Sequence, residues 1–185
     1  MSDYTHSICV FCGSRFGIDP TYGEVAEELG RTLAGNAYRL VYGAGDVGIM
    51  GAVANATQAA GGETFGVIPV HLLQQEAGKR DLTSFVVTEN MHERKKVMFM
   101  NADAIVTLPG GAGSMDELFE VLTWRQLGLH DKPVYLLNVK GYWDPLITLI
   151  DHMITQGFAD ESFRALLHVV DDVPALLTRM RDDLS

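Results

Sequence analysis

The chain has 185 residues, 47% of them hydrophobic and 21% charged, which suits one compact globular domain and excludes disordered, collagenous and coiled-coil classes. At this length roughly two-thirds of the unfolded surface can be buried without metal or disulfide staples. The balance of 14 Lys+Arg against 24 Asp+Glu gives a net charge of −10, whose field repels nucleic-acid polymers and anionic membranes but leaves room for a local pocket that takes a small anion.

The first residues carry Asp3 and His6 ahead of a very short apolar run, unlike a secretory leader, and no run approaches the ~20 apolar residues of a membrane span. A cytoplasmic location is expected. Ser7 to Cys12 reads as the first strand. Its two cysteines, Cys9 and Cys12, have C-x-x-C spacing, but residues three apart on a strand point to opposite faces, and a thioredoxin-like pair would open a helix. They read as two separate thiols.

Helical spacing of Tyr22, Val25, Ala26, Leu29 and Leu33 predicts a helix over Pro20 to Ala34. Tyr38 to Tyr42 is a second strand, followed by a glycine-rich turn, a small-residue helix from Val47 to Ala60 and a third strand from Glu63 to Ile68. Pro69 to Ser84 reads as a polar loop, then come a strand from Phe85 to Thr88 and a helix from Met91 to Asn101. Ala104 to Leu108 is the clearest strand, broken by Pro109 to Gly113 before a helix from about Ser114 to Leu127. A strand from Pro133 to Leu137, a helix from Asp144 to Gln156, a short strand and a closing helix complete the chain. This alternation predicts a single Rossmann-like, doubly wound α/β domain over residues 1–185, with a mainly parallel sheet flanked by helices. Ligands of such sheets gather beyond the carboxyl ends of the strands, so the residues after each strand carry the functional information.

The strongest motif there is Leu108-Pro109-Gly110-Gly111-Ala112-Gly113-Ser114-Met115-Asp116-Glu117. A strand, a three-glycine turn and a helix start can cradle phosphate, since backbone N–H groups and the helix dipole both favour an anion. The same residues also fit a plain strand-to-helix turn, with Ser114 as N-cap and Glu117 closing a capping box. The pattern is neither a P-loop nor G-x-G-x-x-G. Glu117, one turn into the helix, is poorly placed for phosphate and better placed for a neighbouring sugar or water.

A second motif, Met91-His92-Glu93-Arg94-Lys95-Lys96-Val97-Met98, puts cations early in a helix, against the dipole preference. A bound anion or facing carboxylate would compensate; a solvated basic face is the other reading, above all for Lys96. Arg94, Lys95 and Lys96 join Lys79 and Arg80 in one basic window. His92-Glu93 lacks the second histidine of a zinc motif, and no metal or cofactor is expected. Tyr42-Gly43-Ala44-Gly45-Asp46-Val47-Gly48-Ile49-Met50-Gly51 and Cys12-Gly13-Ser14-Arg15 follow the two remaining central strands. Either turn could contact a nucleotide, or merely let a helix pack closely on the sheet.

Taken in order, Cys-Gly-Ser, YGAGDVGIMG, MHERK, PGGAGSMDE and Leu122-Thr123-Trp124-Arg125-Gln126-Leu127-Gly128 closely resemble the LONELY GUY (LOG) family from about Ser7 to Asn138. Members have often been labelled lysine decarboxylases, a chemistry for which the chain shows no recognisable pyridoxal-phosphate site. The resemblance implies a phosphoribohydrolase that cleaves the N-glycosidic bond of adenosine 5′-monophosphate, often N6-prenylated as in cytokinin nucleotides, to free base and ribose 5-phosphate. It implies Arg94 and Glu117 as the catalytic pair. Arg94 and Lys95, the turn Gly110, Gly111, Ala112, Gly113, Ser114, Met115, Asp116 and Glu117, and Thr123 would contact the nucleotide. Gly13, Ser14 and Gly43 join them from the other two turns, and Glu76 matches a substrate-binding glutamate. A homodimer with sites near the subunit interface is also implied. Two positions depart from the family pattern: Ser114 stands where threonine is usual, and YGAGD replaces YGGG, bringing Ala44 and Asp46 toward the expected anion. A non-catalytic nucleotide or molybdenum-cofactor carrier, which shares the general fold, is the competing expectation.

Overall fold

In the computed structural model, which describes residues 4–73 and 81–185, seven strands pair in parallel throughout. The strands β1 (His6–Phe11), β2 (Tyr38–Tyr42), β3 (Thr64–Pro69), β4 (Ser84–Thr88), β5 (Ala104–Thr107), β6 (Val134–Leu137) and β7 (His168–Val170) lie in the order β4-β3-β2-β1-β5-β6-β7. The helices are α1 (Thr21–Gly35), α2 (Gly48–Ala59), α3 (Val70–Leu73), α4 (Met91–Met100), α5 (Ala112–Gln126), α6 (Asp144–Thr155) and α7 (Val173–Asp183). Winding proceeds outward from β1 in one direction and from β5 in the other, so the switch point lies between these two strands.

Helices cover both faces, as the continuous apolar runs of the central strands require. Ile8, Val10 and Cys12 pack with residues of α1, α2 and α7 on one face, while Cys9 and Phe11 pack with residues of α4, α5 and α6 on the other. The period-two alternation of a strand therefore separates the two thiols. Both are free and buried, and burial pushes the pKa of each up, away from the reactive thiolate.

Most boundaries fall within a residue of expectation, and two elements depart further. The stretch read as a polar loop after β3 opens with the short helix α3. More consequentially, α5 begins at Ala112 with Gly111 as its N-cap. Ser114 is thus the third residue of the helix rather than its cap, and Glu117 closes no capping box. Glycines after a strand supply no side chain to compete for the first helical amides, so the helix extends back to the turn itself.

The small residues of α2 let α1 approach it closely. A Cβ on Gly30 would run into the backbone carbonyl of Val53 and lie 2.9 Å from both the Ala56 Cβ and the Thr57 nitrogen. Gly30→Ala is expected to cost about 1–3 kcal/mol from overpacking, less a helix-propensity gain of up to ~1 kcal/mol. Thermal denaturation checks this: an unchanged midpoint would mean that the two helices can separate without penalty.

Candidate active site

The turns after β1, β2 and β5 converge at the switch point. The Gly13 N–H donates to the Pro109 carbonyl at 3.1 Å, and a Cβ on Gly13 would lie 3.3 Å from the Gly110 Cα. Gly48, at φ +62, is tighter still, since a Cβ there would collide with the Ser14–Arg15 backbone. Glycine at these positions lets three turns share one small volume.

Beside them lies a cleft of about 520 Å³. Its wall includes Gly13, Ser14, Gly43, Arg94, the turn Gly110 to Ser114, Asp116 and Glu117. No side chain among the described residues caps α5, so the amides of its first turn are open to an anion with no competing acceptor. Ser114, buried, places its hydroxyl in the same wall.

Arg94 is buried and clamps two strand ends. Its Nε donates to the Val67 carbonyl at 3.1 Å, its Nη2 to the Gly43 carbonyl at 2.7 Å, and its Nη1 lies 3.8 Å from the Met91 sulfur. The approach to Gly43 is so close that a Cβ there would overlap Nη2. Arg94 is positioned from α4, whose N-cap Asn90 accepts from the Glu93 N–H at 3.0 Å. A cation early in a helix is thus compensated by backbone carbonyls, in place of the dipole's preferred anion.

Glu117 projects from α5 into the cleft without a hydrogen bond or ion pair to any described residue. Burial pushes its carboxyl up to about 7, while Arg94 opposes that rise. A carboxyl held at neutrality inside a cleft can exist as the anion or the acid under ordinary conditions, which is the usual requirement for acid–base chemistry.

Not every expected residue joins this cleft. Lys95, from the neighbouring position on α4, turns away and pairs with Asp116 at 3.0 Å and with Glu120. With Met115 and Thr123 it lines a second, open cleft between α4 and α5, alongside Phe119 and Trp124; Ala112 and Asp116 border both clefts. The Thr123 hydroxyl is engaged within its own helix, donating to the Phe119 carbonyl at 2.7 Å. Ala44 and Asp46, expected near the anion, are not among the residues of the first cleft. Ala44 is fully buried at φ +57, and the chain has already turned from the cleft after Gly43. Lys96 is exposed, as a solvated basic face requires. Glu76, Lys79 and Arg80 lie outside the described residues.

Sequence reasoning missed the apolar wall of the first cleft, formed by Phe16, Tyr22, Met50, Met91, Met98 and Tyr142. The helical spacing of Met91 and Met98 suggests a shared buried side of α4; Met98 is buried there, whereas Met91 is exposed at the start of the helix. Tyr142 carried only its place just beyond β6, the strand next to β5.

A family model described as "Possible lysine decarboxylase" matches residues 50–180. The chain is 43% identical over 176 residues to a probable cytokinin riboside 5′-monophosphate phosphoribohydrolase of Oryza sativa subsp. japonica, covering 95% of this chain and 76% of that protein. It is also 43% identical over 176 residues to a cytokinin riboside 5′-monophosphate phosphoribohydrolase of Rhodococcoides fascians, covering 95% of this chain and 89% of that one. Among solved structures, the molybdenum cofactor carrier protein of Chlamydomonas reinhardtii superposes with a TM-score of 0.74 at 22% identity, over 97% of this chain and 98% of the other. That last likeness is one of fold.

Proposed function

The chain belongs to the LOG family of phosphoribohydrolase-like proteins, the family whose model carries the lysine decarboxylase description, and from that premise we propose that it hydrolyses the N-glycosidic bond of adenosine 5′-monophosphate or its N6-prenylated forms. The products are free base and ribose 5-phosphate. The observation that carries this reading is Glu117, a carboxyl held at about 7 in the cleft that also contains Arg94 and the glycine turn.

Breaking the ribosyl C1′–N9 bond builds positive charge on the sugar. The Glu117 carboxylate, in a partly desolvated site, stabilises that charge and aligns the attacking water. The amides at the start of α5, with the Ser114 hydroxyl, hold the 5′-phosphate, and this remote binding energy positions the reacting bond. Arg94 keeps the Gly43 turn open and supplies the charge that limits how far the Glu117 pKa rises. A carrier of an intact nucleotide or molybdenum cofactor would use the same turn, but has no need of a carboxyl raised to neutrality.

Lys95, Met115 and Thr123 act from the second cleft. A second copy of the chain seated on this face of α4 and α5 brings the two clefts into one enclosed site, and a homodimer is the working assembly. A clean monomer in light scattering at micromolar concentration counts against it. No helix among the described residues is long and apolar enough to cross a membrane, and two buried free thiols suit the reducing cytoplasm where we place the protein.

The test is chromatography of reactions with adenosine 5′-monophosphate and isopentenyladenosine monophosphate, followed across pH. Release of base and ribose 5-phosphate is expected, with kcat/KM rising tenfold per pH unit at low pH and levelling near 7, where Glu117 becomes the carboxylate. A limb that persists unmoved in Glu117→Gln would report the substrate phosphate's own ionisation and remove Glu117 from the role. Intact nucleotide in every reaction would favour the carrier.

A further inference from the structure

In the function proposed above one turn receives the 5′-phosphate, and a hydroxyl from beyond β6 reaches a carbonyl of that turn. The Tyr142 phenol, 32 residues along the chain, donates to the Gly110 carbonyl at 2.6 Å. A trans, planar peptide fixes the Gly111 N–H antiparallel to the Gly110 C=O, so a bond that pins the carbonyl also pins the direction of that N–H. Gly111 is the N-cap of α5, and beyond its two chain neighbours a Cβ on Gly111 would meet nothing within 4 Å. Nothing in the packing around Gly111 itself therefore holds this peptide plane.

The segment that delivers Tyr142 is braced well beyond what a surface connection requires. After β6, the Asn138 side chain donates to the Asp144 carboxylate at 2.8 Å and accepts the Trp143 N–H at 2.7 Å. Lys140 and Gly141 both adopt positive φ, 52 and 71, and Lys140 is held there by an ion pair to Asp19 at 2.7 Å. A lysine in the left-handed region is strained, and proteins keep such strain where geometry matters. The Tyr142 ring is fixed edge-on by Tyr22 and Trp143, with ring centroids 5.5 and 4.8 Å away.

We infer that Tyr142 is a positioning residue of the phosphate site, which orients the Gly110–Gly111 peptide so that its N–H joins the first amides of α5 in binding a phosphomonoester. It acts through that peptide and takes no part in the bond-breaking step.

The test is Tyr142→Phe, which keeps the ring and its stacking and removes only the donor. With adenosine 5′-monophosphate as substrate, KM is expected to rise about five- to tenfold, the equivalent of one lost hydrogen bond, with kcat changed by less than about twofold. The inhibition constant of adenosine, which lacks the phosphate, should stay within about twofold of wild type. Calorimetry with ribose 5-phosphate should show the same loss as KM, with an unchanged thermal midpoint certifying the fold. An unchanged KM, an equal loss for adenosine, or a fall confined to kcat would each overturn the assignment. Tyr142→Leu serves as the second variant: if it weakens ribose 5-phosphate binding no more than Phe does, the hydroxyl carries the effect, and a much larger loss would overturn the claim that the bond is what matters. Should wild type release no base at all, the function proposed above fails by itself. Ribose 5-phosphate calorimetry still decides the role of Tyr142.

Discussion

Glu117→Gln is expected to lower base release roughly 10²–10⁴-fold while leaving the protein folded and more stable than wild type at pH 8. The activity loss follows from removing the one carboxylate on the cleft's wall that, among the described residues, no ion pair engages, since Asp116 pairs with Lys95. The stability gain has a definite sign. Burial raises the Glu117 pKa from 4.5 to about 7 in the folded state, so folding favours the protonated form. That contribution is fully present below the unfolded pKa and is lost as pH rises through 7, where the folded protein must hold a desolvated anion. Glutamine removes the anion, so the variant's advantage should grow between pH 4.5 and about 7 and then level off at up to about 3 kcal/mol. Parallel denaturation curves for the two proteins across pH would count against the raised pKa. Full activity in the variant would end the catalytic assignment.

Arg94→Met should damage fold and activity together. The guanidinium serves the Gly43 and Val67 carbonyls at once, and removing it leaves two buried acceptors unpaired at a cost of about 2–4 kcal/mol. Arg94→Lys is no rescue, because one ammonium on a flexible stem cannot reproduce the two-pronged fork. Loss of the neighbouring positive charge should also move the Glu117 limb of the pH profile upward from about 7, since Arg94 lowers that pKa. Residual activity at pH 7 is expected to fall roughly 10²-fold or more, partly recovered at higher pH. A variant of wild-type stability with an unmoved limb would show that Arg94 neither clamps the strand ends nor influences Glu117.

Much of the site was legible because it hangs on strand ends. Gly13, Gly43 and Gly110 to Ser114 each follow a central strand, and topology carries such residues to one edge of the sheet wherever the switch point falls. Arg94 was legible as a cation at an unfavourable helix position, although its partners were not. No spacing in the sequence reveals that two backbone carbonyls stand ready for it. Lys95 shows the limit most directly. It neighbours Arg94 on α4, yet a rotation of about 100° per helical residue sends it to Asp116, Glu120 and the other cleft.

The sequence by itself determined the alternation of strands and helices, the opposite faces of Cys9 and Cys12, and the glycine turn ahead of a carboxylate, because period and turn chemistry are local properties. Only the tertiary structure decided that α5 starts at Ala112, capped by Gly111, rather than at Ser114. It alone decided that Ala44 and Asp46 leave the cleft, that Glu117 is buried enough to titrate near 7, and that Tyr142 reaches Gly110. Each of these depends on desolvation or on a contact between residues far apart in the chain, and neither quantity exists until the sheet has closed and its helices have packed.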